Sequence, residues 1–105
     1  EAAFPEMLEA FLSDVPERIA AMRAAVAAGD REALRDAVHA TKGGSGSIGA
    51  MRLSLMCRQL EERLRHGESI DISSAIADIE AEFAAAAAAL AAYREADEVR
   101  PLAPG

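Results

Sequence analysis

"DREALRDAVHATKGGSGSIGA", residues 30–50, decides the fold of this 105-residue chain. Its small and apolar residues recur at helical spacing, at Leu34, Ala37, Val38, Thr41, Ser45 and Ile48. The spacing continues through residues 43–49, where four of seven residues are glycine. A flexible glycine-serine linker is the alternative, but Ile48 keeps the helical phase. We therefore predict one amphipathic helix that includes the glycines.

The sequence before this helix contains two apolar stripes at helical spacing, within residues 4–12 and 15–26. The two stripes nearly keep phase. Pro16 suits the first turn of a helix, and Asp14 and Glu17 form a capping-box-like pattern around it. We therefore predict a short N-terminal helix, bent at this junction and almost in line with a longer one.

The sequence after the glycines predicts two further helices, over residues 50–66 and 71–96. Gly29 and Gly67 suit the ends of the helices that precede them. No strand pattern is present, and short connections favour antiparallel neighbours. The prediction is an all-α, up-down-up-down four-helix bundle with a short extra N-terminal helix. Residues 1–96 form the domain, and residues 97–105 form a tail or linker.

Composition limits the class of function. Aromatic residues make up 4% of the chain and alanine is abundant, which favours closely packed helices over a β-sandwich. The formal net charge of −7 argues against nucleic acid as a partner. No run of 18 apolar residues is present, so we expect no membrane insertion. Cys57 is the single cysteine, which excludes an intrachain disulfide and favours a cytoplasmic setting.

His39 lies about 100° around its helix from the apolar stripe at Val38. Its neighbours on the same face, Arg35, Asp36, Lys42, Gly43 and Gly46, include no large apolar side chain, so we expect an exposed imidazole. A helical glycine costs roughly 0.5–1 kcal/mol relative to alanine, so stability does not explain the glycines. We interpret them as clearance that lets a partner reach the ring. An accessible imidazole beside a cation suits nucleophilic attack on phosphorus.

These residues, followed by "LSLMCRQLEERLRHG" at 53–67, resemble the histidine-containing phosphotransfer (HPt) domain over about residues 4–95. The family pattern is His-x-x-Lys-Gly, then Gly-Ala, then a helix with Leu, Cys and Leu-Glu. It is matched by His39, Lys42, Gly43, Gly49, Ala50, Leu53, Cys57, Leu60 and Glu61. Two positions differ from the common pattern: Thr41 replaces leucine, and Gly44 replaces serine or alanine.

The resemblance implies that His39 takes a phosphoryl group from an aspartyl phosphate of one receiver domain and passes it to an aspartate of another. Nε2 would carry the group, Lys42 would stabilise its oxygens, and Gly43 would give access. Glu61 would bond the other ring nitrogen and fix the tautomer. Periodicity supports this, because Ser54, Arg58, Glu61 and Arg65 flank the apolar face of their helix. The alternative is that Glu61 is a surface residue paired with Arg65.

The resemblance also implies the partners. We expect response-regulator receiver domains, with a histidine kinase as the alternative partner, to contact Gly43, Gly46, Arg35, Arg58 and Arg65. We expect a monomeric phosphocarrier rather than an enzyme, either on its own or as part of a hybrid sensor histidine kinase. We expect no cofactor and no metal of its own. Mg²⁺ would belong to the partner receiver domain.

Other functions remain open at this stage. The Lys-Gly-Gly run also resembles the N-terminal phosphotransfer domain of chemotaxis histidine kinases, which its own kinase domain would phosphorylate. A helical binding module that takes no phosphate would be indifferent to losing His39. A metal-dependent enzyme would need side chains at the spacing of metal ligands, and a nucleotide-dependent enzyme would need a glycine-lined loop between a strand and a helix. The sequence shows neither pattern.

Overall fold

The computed structural model describes residues 3–68 and 70–98, and within these ranges it contains helices and no strands. The helices are α1, Phe4–Ala28; α2, Arg31–Ser47; α3, Met51–Arg65; and α4, Ile72–Glu98. Each packs against its neighbours in the chain, and α4 closes the bundle against α1. The predicted all-α, up-down-up-down four-helix bundle is confirmed.

The core is formed by the apolar stripes of all four helices. Every helix contributes at least one large side chain that is almost completely buried. These are Leu8, Val15 and Met22 in α1, Val38 in α2, Leu53 in α3, and Ile76 and Ile79 in α4. Burial of a side chain of this size contributes about 1.5–3 kcal/mol. The packing of these stripes, rather than helix propensity, therefore keeps α2 helical through Gly43, Gly44 and Gly46.

The short connection before α2 orients the helix that carries the site. Gly29 adopts φ 67°, a left-handed conformation that ends α1 and favours glycine. Asp30 then caps α2, since its carboxylate accepts a hydrogen bond from the amide of Ala33 at 3.0 Å. Arg31 donates to the carbonyl oxygen of Leu64 at 2.9 Å, which ties the start of α2 to the end of α3.

The prediction of a separate, short N-terminal helix before Pro16 is wrong. The segment before Pro16 is the first part of α1, which is continuous over 25 residues and contains the proline. Pro16 is exposed, so the helical hydrogen bond that it cannot donate is lost on the solvent side. The buried stripe from Leu8 to Met22 runs past it without a break. The two predicted stripes kept phase because they belong to one helix.

The C-terminal boundary of the domain stays a prediction. Helix α4 continues to Glu98, past the predicted boundary after residue 96. Residues 99–105, most of the predicted tail, lie outside the described residues. No helix in the described ranges is long and apolar enough to cross a membrane.

Candidate functional site

His39 lies in the middle of α2, on the face directed away from the core. Its side chain is 64% exposed, whereas the preceding residue, Val38, is completely buried. The helical phase of the core stripe therefore places the imidazole in solvent, as the sequence predicted.

Glu61 of α3 connects the two functional side chains of α2. Its Oε2 lies 2.7 Å from Nδ1 of His39, and its Oε1 lies 2.7 Å from Nζ of Lys42. Glu61 itself is buried, with 8% of its surface exposed. One buried carboxylate thus binds two residues that are one turn apart on the neighbouring helix. The alternative of an exposed Glu61 paired with Arg65 is wrong.

The ionisation of Glu61 determines the state of the imidazole. Hydrogen bonding from Lys42 is the main cause that lowers the pKa of Glu61 from its ordinary value; burial opposes it, and the bond from His39 adds to it. The carboxylate is therefore ionised near neutral pH and only accepts hydrogen bonds. Nδ1 of His39 must then carry the proton. In the neutral ring, Nε2 has a free lone pair at the exposed edge.

The glycines near His39 fall into three structural groups. A Cβ at Gly43 would meet nothing within 4 Å, and one at Gly46 would make an ordinary 3.5 Å contact with Oγ of Ser54. The domain's own packing therefore requires neither glycine. Gly49 adopts φ 84°, where glycine is favoured after the end of α2. Gly44 differs from the others because a Cβ there would lie 3.0 Å from Nη1 of Arg18 in α1.

Ser54 and Arg18 hold α2 from its two sides. Oγ of Ser54 donates to the carbonyl oxygen of Lys42 at 3.1 Å, which fixes α2 against α3 at the site. Arg18 donates to the carbonyl oxygen of Ala40 at 3.5 Å. Arg18 was not among the site residues predicted from the sequence. Its position beside the buried residues Val15 and Ile19 is the only signal, and many surface arginines share it.

The three arginines predicted to contact a partner are exposed. Arg35 lies one turn before His39 on α2, and Arg58 and Arg65 lie one turn to either side of Glu61 on α3. Nε of Arg58 is 3.7 Å from a carboxylate oxygen of Glu62. Their role in binding stays a prediction.

Cys57 lies in the core below the site. It is completely buried, and burial is the main cause that raises the pKa of its thiol to about 12. The thiol therefore stays protonated and packs as a small apolar group. Within residues 3–68 and 70–98, no three His, Cys, Asp or Glu side chains come together as metal ligands. The expectation that the domain needs no cofactor remains a prediction.

Two comparisons with known proteins found a matching family and a similar fold. The family model described as Hpt domain matches residues 6–93. The crystal structure of histidine-containing phosphotransfer protein B (HptB) from Pseudomonas aeruginosa PAO1 is similar in fold, with a TM-score of 0.80. The two sequences are 38% identical, over 87% of this chain and 79% of that one. No curated protein matched.

Proposed function

This chain belongs to the Hpt domain family, and from that premise we propose that His39 is its phosphoacceptor and relays a phosphoryl group between aspartates of receiver domains. Hpt domains are phosphocarriers rather than enzymes in the usual sense. The observation that carries the proposal is the pairing of the exposed His39 with the buried carboxylate of Glu61 at 2.7 Å.

The pairing supports attack by Nε2. The lone pair of Nε2 forms a bond to phosphorus as the bond between phosphorus and the aspartyl oxygen of the donor breaks. The donor aspartate leaves as a carboxylate, so no proton has to be transferred. The ring gains positive charge while Nδ1 keeps its hydrogen, and the ionised Glu61 opposite Nδ1 stabilises that charge. The reverse sequence delivers the group to a second aspartate.

Lys42 supports the same chemistry from the next turn of α2. Its Nζ is held by Glu61 at 2.7 Å and its side chain is 30% exposed, so the ammonium group lies at the edge of the site. A phosphoryl group on Nε2 would bring new anionic oxygens to this edge. We propose that Lys42 binds them while Glu61 keeps its bond to His39.

The partners follow from the surface around the imidazole. A receiver domain must bring its aspartate to Nε2, and the missing side chains at Gly43 and Gly46 leave room for that approach. We propose that Arg35, Arg58 and Arg65 contact the docked receiver domain, and that the domain acts as a monomer in the cytoplasm. The unpaired, buried Cys57 supports a reducing compartment.

The test is transfer of labelled phosphoryl groups from phosphorylated receiver domains to the native domain and to His39→Gln. We expect acid-labile, alkali-stable label on the native domain and none on the variant. The variant's helical circular dichroism should be unchanged, because the ring is exposed. Label on His39→Gln would exclude His39 as the acceptor.

The same assay identifies the class of protein that donates the phosphoryl group. If a panel of receivers fails but an ATP-fed histidine kinase domain labels His39, the chemotaxis-type function replaces the relay. If both donors fail, a binding module that takes no phosphate becomes the better explanation.

A further inference from the structure

Gly44 is the helical glycine that access to His39 does not explain. Its missing Cβ faces Nη1 of Arg18, and the two atoms would be 3.0 Å apart. That separation is tighter than side chains normally adopt. The guanidinium is the end of a flexible side chain, so it would move rather than the helix. Gly44 therefore provides a seat in which the Arg18 guanidinium lies against α2.

The charge of Arg18 is weakly neutralised in this seat. Among the described residues, its nearest carboxylate oxygen is on Asp14 at 4.0 Å, and its bond to the carbonyl oxygen of Ala40 is 3.5 Å long. Its side chain is 34% exposed. Lys42, by contrast, has a carboxylate partner at 2.7 Å. The guanidinium of Arg18 thus retains donors for a further acidic group.

The seat lies at the rim of the surface around His39. Relative to His39, Ala40 lies about 100° around α2, and Gly44 lies about 140° around it and about 7.5 Å along the axis, both on the flank of α2 that faces α1. Arg18 and Gly44 also line the same surface groove between α1 and α2. Glu61 and Lys42 occupy the opposite, α3 side. A group bound by Arg18 therefore belongs to the docked partner rather than to the phosphorus.

We propose that Arg18, seated on Gly44, is a specificity-determining residue that binds an acidic side chain of the docked receiver domain. The inference rests on the proposed function. The chain carries a formal net charge of −7, so an acidic surface approaching it is repelled overall. A cation at the rim of the site offsets that repulsion and selects receivers with a carboxylate at the matching position.

The test is the kinetics of phosphoryl transfer from a phosphorylated receiver to the native domain, Arg18→Ala, Gly44→Ala and the double variant. We expect Arg18→Ala to raise the apparent KM, the receiver concentration at half-maximal single-turnover rate, about two- to fivefold, as for other exposed ion pairs. The maximal rate constant of transfer should be unchanged. Gly44→Ala should raise KM by a similar factor or less, although alanine favours the helix. The double variant should match Arg18→Ala. The effect should shrink in about 1 M salt.

Arg63→Ala is the matched control, because it removes the same charge from the α3–α4 side of the bundle. An unchanged KM in Arg18→Ala, or an effect of Gly44→Ala that persists without Arg18, would overturn the inference. A fall in the maximal rate constant of transfer alone would also overturn it, since it would place Arg18 on the phosphoryl group. If the native domain transfers well, these outcomes remove only the role of Arg18. If it accepts no label from any receiver, the proposed function fails as well.

Discussion

Oε2 of Glu61 on α3 lies 2.7 Å from Nδ1 of His39 on α2, and this contact joins a buried carboxylate to an exposed imidazole. The two residues come from helices that the chain connects in three residues, Ile48 to Ala50. The short connection makes α2 and α3 antiparallel neighbours. A residue in the second half of α3 therefore determines which nitrogen of His39 remains free.

Removal of this contact should release the tautomer of His39. In Glu61→Ala, Nδ1 loses its acceptor, so we expect the neutral ring to shift toward the Nε2-protonated form. Phosphoryl transfer should fall about 10- to 100-fold, the range for loss of a histidine-orienting carboxylate. Nitrogen NMR of the imidazole measures the tautomer, and the label assay measures the rate. Glu61→Gln retains an acceptor oxygen for Nδ1, so its rate of phosphoryl transfer should fall less than that of Glu61→Ala. An unchanged tautomer in Glu61→Ala would show that Glu61 does not orient the ring.

The same carboxylate should make stability depend on pH. The pKa of Glu61 is lowered in the folded state from its ordinary value of 4.5, mainly by Lys42. Its stabilising contribution is therefore fully present above about pH 4.5 and is lost as pH falls through the lowered folded pKa. Urea unfolding of the native domain between pH 7 and pH 3 should show a steeper loss of stability than unfolding of Glu61→Gln.

Other carboxylates provide the baseline for that comparison. Asp71 and Glu80 also have lowered pKa values, from hydrogen bonds with Ser74 and Arg23 respectively. Their contributions are present in both proteins and cancel in the difference. If the free energy of unfolding changed with pH in parallel for the two proteins, Glu61 would not have a lowered pKa in the folded state.

Substitutions of Gly43 should affect the stability of the domain and its phosphoryl transfer in opposite directions. No atom of the described residues lies within 4 Å of a Cβ placed there, so the Cβ of Gly43→Leu meets no clash and the variant gains helix propensity. We expect the free energy of unfolding to rise by about 0.5–1 kcal/mol. The leucine lies one turn from His39 on the same face, so it should obstruct the approach of a receiver and strongly reduce transfer. Gly43→Ala is the control, with the same gain in stability and a smaller obstruction. Native transfer rates in Gly43→Leu would refute the clearance argument.

The features that the sequence predicted correctly are those governed by periodicity. The phase of the buried stripe placed Gly43, Gly44 and Gly46 inside α2 and His39 on its exposed face. Gly49, which the sequence also placed in this helix, lies beyond its end with a φ of 84°. The stripe containing Glu61 put that residue at the edge of α3 that faces α2. Both follow from the geometry of a helix with one buried face, which a single sequence contains.

The features that it missed depend on tertiary packing. Pro16 favoured a helix start locally, but a stripe buried on both sides of it keeps α1 continuous. The partners of long side chains were also unpredictable. Lys42 pairs with Glu61, and Arg18 reaches across to α2. Such choices depend on distances between helices, which the spacing of residues along one helix does not determine.

Ser45 gives a test of the core beneath the site. It is completely buried, and its Oγ has no hydrogen-bond partner among the described residues. The hydroxyl of buried Thr41, in contrast, donates to the carbonyl oxygen of Ala37. Ser45→Ala removes an unsatisfied polar group and favours the helix, so the free energy of unfolding should rise by about 1–2 kcal/mol in urea titrations. Ser47→Ala is the control, since its exposed hydroxyl bonds the carbonyl oxygen of Gly43 and should change stability by about 0.5 kcal/mol or less. Destabilisation by Ser45→Ala would contradict an unsatisfied hydroxyl, because the loss of a satisfied hydrogen bond lowers the free energy of unfolding.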